Sequence, residues 1–318
     1  MTRDGHWVIR AAPPAGGTIT RVTPGTAGWR HSGLSVHRLA PGRRLALELT
    51  GREAVVVPLS GSARLDVAAP DGTRRQAALA GRSDPFAGPA DTAYLPVGST
   101  GALTAGGEGL RVAVATAATA AVHPFAVLPA AAARVDLRGA GPASRKVVNY
   151  TIGTGLRADR LLVCEVVTPG GNWSSYPPHK HDAHSDRPGA EERELEEIYY
   201  FEVAAGPSGP GFAFHRVYGT PERPIDVLAE VRTGDVVLVP HGYHGPSIAA
   251  PGYDLYYLNV MAGPAADGLW LSTDDPAHSW VRDSWAGQEI DPRLRPGQRR
   301  PGGAPTARPA RPNLEESS

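Results

Sequence analysis

Gly234-Asp235-Val236-Val237-Leu238-Val239-Pro240-His241-Gly242-Tyr243-His244 reads as a turn, an apolar strand, a second tight turn and a histidine. Upstream, Glu197-Ile198-Tyr199-Tyr200-Phe201 places a carboxylate at the head of an aromatic strand. Further upstream, Pro177-Pro178-His179-Lys180-His181-Asp182 carries two imidazoles two residues apart. On a strand, positions i and i+2 share a face, so His179 and His181 reach one point while Lys180 faces away. Seven of the 11 histidines fall between His179 and His278. Three imidazoles and one carboxylate from separate strands form a divalent metal site suited to Mn, Zn or Fe, and also to Co or Ni. Four protein ligands leave one or two coordination positions open, which a catalytic metal requires. Glu197 is preferred over Glu196, Glu191, Glu192 and Glu194 because it immediately precedes the aromatic strand. His244 is preferred over His241 on spacing, and His184 and His215 are not expected to be ligands.

Short apolar or alternating runs bounded by Gly and Pro recur along the whole chain: 45–49, 54–58, 63–67 and 110–115, then 161–167, 198–203, 212–218, 236–240 and 255–260. Gly 38 and Pro 31 in 318 residues agree with many short strands and turns. The expected fold is all-β, two barrel or jelly-roll domains in tandem. The halves echo each other. Glu53-Ala-Val-Val-Val is followed by Tyr94-Leu-Pro-Val-Gly-Ser-Thr100, much as Glu197-Ile-Tyr-Tyr-Phe is followed by Leu238-Val-Pro-His-Gly-Tyr-His244. Thr100 stands where His244 would be, and no His-x-His precedes Glu53, so only the second half is expected to hold a site. The expected division is 1–135, a domain without metal ligands; 136–289, the metal-binding domain; and 290–318, a disordered tail with six Pro and six Arg in 29 residues.

Lys+Arg 32 against Asp+Glu 32 leaves no net charge, which argues against nucleic acid or an anionic membrane as the main partner. No apolar run of membrane-spanning length is present, no signal peptide is visible, and Cys164 is the single cysteine. A small-molecule substrate, a cytoplasmic location and self-association are expected. Cys164 is read as an inert core residue, Trp270, Trp280 and Trp285 as a clamp for the C-terminal segment, and 274–278 as a capped turn.

His-x-His, a Glu heading a strand and Gly-(x)5-Pro-x-Gly-x-His together resemble the two-part signature of the cupin superfamily. Trp173 to Asp182, Glu197 to Phe201, Gly211 to Tyr218, Gly234 to His244 and Pro251 to Gly263 are similar to the 5-deoxy-glucuronate isomerases of inositol catabolism. The resemblance implies a bicupin with one metal site in its second half, interconverting 5-deoxy-D-glucuronate and 5-dehydro-2-deoxy-D-gluconate. His215 stands where that family more often has Gln, and Gly245-Pro246 where it has Pro directly after the last ligand. Such an aldose–ketose isomerisation moves a proton between neighbouring carbons through an enediolate. Tyr199 shares the inward face with Glu197 and is the first candidate for the proton carrier, with Glu165 and Tyr257 behind it. Arg216 is the candidate anchor for the substrate carboxylate, since guanidinium binds carboxylate bidentately. Competing readings are the related ketol-isomerase of pectin breakdown, a cupin dioxygenase and a non-catalytic sugar-binding bicupin.

Overall fold

The computed structural model describes residues 6–295, nearly all of them in strands and turns. The first half forms one eight-stranded sheet in which Arg52–Ala68 and Thr100–Ala118 pair along almost their whole length. These strands curl around an apolar interior built from Leu47, Val56, Leu65, Leu103, Val112 and their neighbours. The second half is a sandwich of a seven-stranded and a six-stranded sheet. Tyr199, Phe201 and Tyr257 from the first sheet pack there against Ala213, Val217 and Val231 from the second. A third cluster lies between the halves, where Val55, Val57 and Ala113 meet Ile198, Tyr200, Tyr256 and Leu258. Alternation along seam strands such as Arg52–Ala68 and Glu196–Val203 therefore sends one set of side chains into a barrel and the other into the seam.

Backbone register shows the duplication directly. Ala54 pairs with Thr116 and Leu95 in the first half, as Glu197 pairs with Met261 and Val239 in the second. Glu48 pairs with Thr100 as His179 pairs with His244. The counterparts of His179, Glu197 and His244 are thus Glu48, Ala54 and Thr100. Glu53 corresponds to Glu196, one residue from the alignment that sequence likeness suggests, because both point into the seam. The Glu53 carboxylate accepts the backbone N–H groups of Asp159, Arg160 and Leu161 at 2.8–2.9 Å. Glu196 accepts those of Arg30, His31 and Ser32 at 2.6–2.9 Å. Each half grips the chain that leads into the other.

The halves also exchange chain. Val8–Ile9 adds to the second half's sheet beside Val236–Val239, outside the division at 135, and Arg134–Arg138 already pairs with Arg145–Asn149. Of the tail expected at 290–318, residues 296–318 lie outside the described residues. Residues 291–294 are docked, contrary to expectation. Asp291 accepts from Asn172 Nδ2 at 3.0 Å, Arg293 donates to the Gly170 carbonyl at 2.9 Å, and Leu294 is buried. Polar composition hid a segment held by charge-assisted hydrogen bonds rather than by apolar area.

Candidate metal centre and active site

His179–Lys180 lies between Tyr243–Ala249 and Thr273–Asp274 in the six-stranded sheet, with His179 directly opposite His244. Strand alternation turns His179 and His181 inward. Lys180 turns outward, where its ammonium meets Asp182 at 2.8 Å and Glu192 at 2.9 Å. Glu192 also accepts the N–H groups of Asp182 and Ala183, so it folds the polar insertion and takes no part in the site. Gly245 (φ +111°) makes room for the first imidazole: a Cβ there would lie 2.8 Å from His179 Cε1.

One nitrogen from each of His179, His181 and His244 lies within 4.8 Å of the others, and all three rings are buried. Glu197, on the facing sheet, completes the group. Its Oε2 is 2.9 Å from Nε2 of His181 and 2.9 Å from Nε2 of His244, and those two nitrogens are 3.1 Å apart. The second ring nitrogens settle the tautomers. His181 Nδ1 faces the Leu195 carbonyl at 3.2 Å and His244 Nδ1 the Gly242 carbonyl at 2.8 Å. A carbonyl can only accept, so in the neutral, ligating form of each ring Nδ1 carries the proton and Nε2 presents a lone pair. In that form two lone pairs and a carboxylate oxygen converge with no hydrogen between them. His179 Nε2 and Glu197 Oε1 are also buried without a partner among the described residues. Donor atoms arranged this way repel unless a cation sits among them, so the residues fit a divalent metal. Burial and the neighbouring imidazoles hold the His179 pKa well below the usual value, which keeps that ring neutral and able to ligate.

A cavity of about 390 Å3 opens beside His179, lined by Arg138, Arg145, Ser175, Trp270, Arg282 and Trp285. Arg138 is committed to Asp136 and Arg282 to Asp274. Arg145 is buried and donates only to the Ala143 carbonyl, at 3.3 Å, with no carboxylate partner among the described residues. Burial pushes its pKa down to about 10, so it remains a cation at neutral pH. Trp270 Nε1 is a further buried donor without a partner among the described residues. Three tryptophans were expected to clamp the C-terminal segment. Trp270 and Trp285 instead wall the cavity, and Trp280 is exposed. Arg145 escaped the sequence reading because a single Arg in Ser-Arg-Lys-Val-Val-Asn looks like a strand edge. Its inward phase with Val147, opposite to Lys146, was the available signal.

Two expected site residues lie elsewhere. Glu165 projects from the other face of Leu162–Thr168 into the seam. There it is ion-paired with Arg82 and accepts the hydroxyls of Tyr150 (2.8 Å) and Tyr256 (2.7 Å). It is one residue out of phase with Cys164 and Val166, which face the barrel interior. Arg216 lies on the outer face of Ala213–Tyr218, bound to Asp226 and stacked 5.2 Å from the Tyr218 ring. Neither reaches the cavity. Tyr199 packs 4.4 Å from the His215 ring and 5.2 Å from that of Tyr257. The Tyr257 hydroxyl lies 2.9 Å from both Ser174 Oγ and Ser175 Oγ, on the cavity side. Burial raises its pKa to about 12 against the opposing pull of Arg145, so the phenol is protonated.

A sequence profile of the KduI/IolB family matches residues 7–281. A 5-deoxy-glucuronate isomerase from Geobacillus thermodenitrificans is 41% identical over 277 residues, covering 86% of this chain and 94% of that protein. The isomerase of the same name from Geobacillus kaustophilus is likewise 41% identical, over 274 residues with the same coverage. The crystal structure of an IolB-like protein from Salmonella typhimurium superposes with a TM-score of 0.77 at 34% identity, covering 86% of this chain and 98% of that one. The oxalate decarboxylase of Lactobacillus farciminis, 12% identical with a TM-score of 0.59, shares the fold. Profile, identity and superposition agree over most of the chain, which therefore belongs to the KduI/IolB family.

Proposed function

We propose that this protein is a metal-dependent aldose–ketose isomerase converting 5-deoxy-D-glucuronate to 5-dehydro-2-deoxy-D-gluconate. The carrying observation is the sharing of Glu197 Oε2 by His181 Nε2 and His244 Nε2 beside a cavity in which Arg145 has no carboxylate partner among the described residues. His179, His181, Glu197 and His244 would hold a divalent cation, Mn, Zn or Fe. Bound there, the cation supplies Lewis-acid polarisation of a carbonyl.

The protein's own groups do the rest. Arg145 binds the substrate carboxylate with charge-assisted hydrogen bonds and sets the sugar's direction in the cavity. Trp270 Nε1 donates to a sugar hydroxyl, and Trp270 and Trp285 exclude water. Tyr257 Oη, hydrogen-bonded to Ser175 Oγ at the cavity edge, holds a proton that this hydroxyl pair can pass to a substrate oxygen. Tyr199, enclosed by aromatic rings, serves to position Tyr257. An anaerobic assay with 5-deoxy-glucuronate in deuterated water, read by proton NMR, tests the reading. Turnover without oxygen and with solvent deuterium in the product is expected. A requirement for dioxygen, or no turnover, overturns it and favours the oxygenase or binding-protein alternatives.

A further inference from the structure

The duplication places a second cavity in the first barrel where the second barrel has its active site. It measures about 370 Å3 against about 390 Å3, and Glu48 on its wall is the register counterpart of His179. His37 on that wall likewise corresponds to Val166. The metal ligands are gone, yet the cavity has not filled in. Gly33 occupies the place that Leu162 fills in the second half. A Cβ there would meet Thr116 Oγ1 at 2.7 Å and Arg52 Nη1 at 3.7 Å, so the missing side chain keeps both groups at the cavity. Arg21 and Arg52 line it, and among the described residues neither guanidinium has a carboxylate or hydrogen-bond partner. By contrast, the guanidiniums of Arg82 and Arg111 in a larger cavity, about 860 Å3, are already paired with Glu165 and Glu202.

We propose that this first-barrel cavity binds a small sugar acid without transforming it. Arg21 and Arg52 take the carboxylate, and Thr116 and Ser35 hydrogen-bond its hydroxyls. A ligand with both features is preferred over a bare inorganic anion, because an anion without hydroxyls leaves Thr116 and Ser35 unused. The cavity shares no residue with the metal centre, so the inference stands apart from the proposed activity.

D-Glucuronate binding to the full-length, metal-loaded protein, measured by calorimetry or equilibrium dialysis, tests it. Wild type is expected to saturate at two equivalents per chain. The R21A/R52A double variant, and R21Q/R52Q with more side-chain bulk retained, should lose one equivalent or bind it about tenfold more weakly or worse. Both should keep the wild-type circular dichroism spectrum and turnover. R145A should lose the other equivalent, so the two sites are read separately. Saturation at one equivalent that R145A abolishes, or unchanged binding in both double variants, overturns the proposal. Displacement of the first-barrel equivalent by inorganic phosphate at equal concentration overturns its assignment to sugar acids.

Discussion

Glu196 and Glu197, neighbours in sequence, serve opposite faces of one strand: Glu197 meets two imidazoles inside the barrel, while Glu196 accepts three backbone N–H groups from the other half of the molecule. Their substitutions should therefore separate cleanly. E197A should lose bound metal and remain folded. E196A should keep its metal and lose about 2 kcal/mol of stability, since it strands partly buried donors. Metal analysis alongside urea denaturation distinguishes the two, and metal loss in E196A would contradict the assignment.

Removing one imidazole from the centre should be as damaging as removing the carboxylate. In H179A and H244A the apparent metal affinity is expected to fall by more than about 100-fold and turnover to reach background. Both proteins should stay soluble. Full activity in chelator-treated wild type would remove the metal from the mechanism.

Arg145 and Arg216 make a matched pair of tests. R145A should raise KM by roughly 10- to 150-fold, the effect of losing a charge-assisted contact of about 1.5–3 kcal/mol. R216A breaks an exposed pair and should leave KM unchanged, with a stability change below about 1 kcal/mol. Steady-state kinetics on the two variants decide which arginine meets the substrate.

At the seam, R82A leaves Glu165 buried without its cation and should cost about 3–5 kcal/mol. A paired R82M/E165L change should recover much of that loss. E165Q should change stability far more than kcat per folded molecule, which refutes or upholds the exclusion of Glu165 from catalysis. Thermal denaturation and kinetics on the same preparations give both readings.

Asp182 supplies a pH signature. Burial opposes its ionisation, but the Lys180 ammonium, the Gly242 N–H and Arg223 prevail and hold its pKa at about 2, against 3.8 as the ordinary value. A depressed carboxyl pKa means stability that is present above about pH 4 and lost as pH falls through about 2. Allowing for solvent screening, the contribution is about 1 kcal/mol. Denaturant midpoints of wild type and D182N should therefore converge between pH 4 and pH 2, and a constant gap would argue against the linkage.

Strand-scale chemistry was legible from the residues. Alternation turned His179 and His181 one way and Lys180 the other, and an aromatic strand headed by Glu197 faced them, because a strand's side-chain period is set by local backbone geometry. The same local rule left Glu165 and Arg216 undecided, since phase says which residues share a face and not which face is inside. Glu165 lies toward a second domain and Arg216 toward solvent, and only the packing of the two halves assigns those directions. Arg145, Trp270 and Trp285 reach one cavity from distant segments whose meeting depends on chain closure over more than a hundred residues. The proposed metal ligands and the all-β duplication were thus written in nearest-neighbour periodicity. The proposed substrate anchor, the reciprocal grips of Glu53 and Glu196 and the retained cavity beside Arg52 were decided by tertiary contacts, which no local pattern encodes.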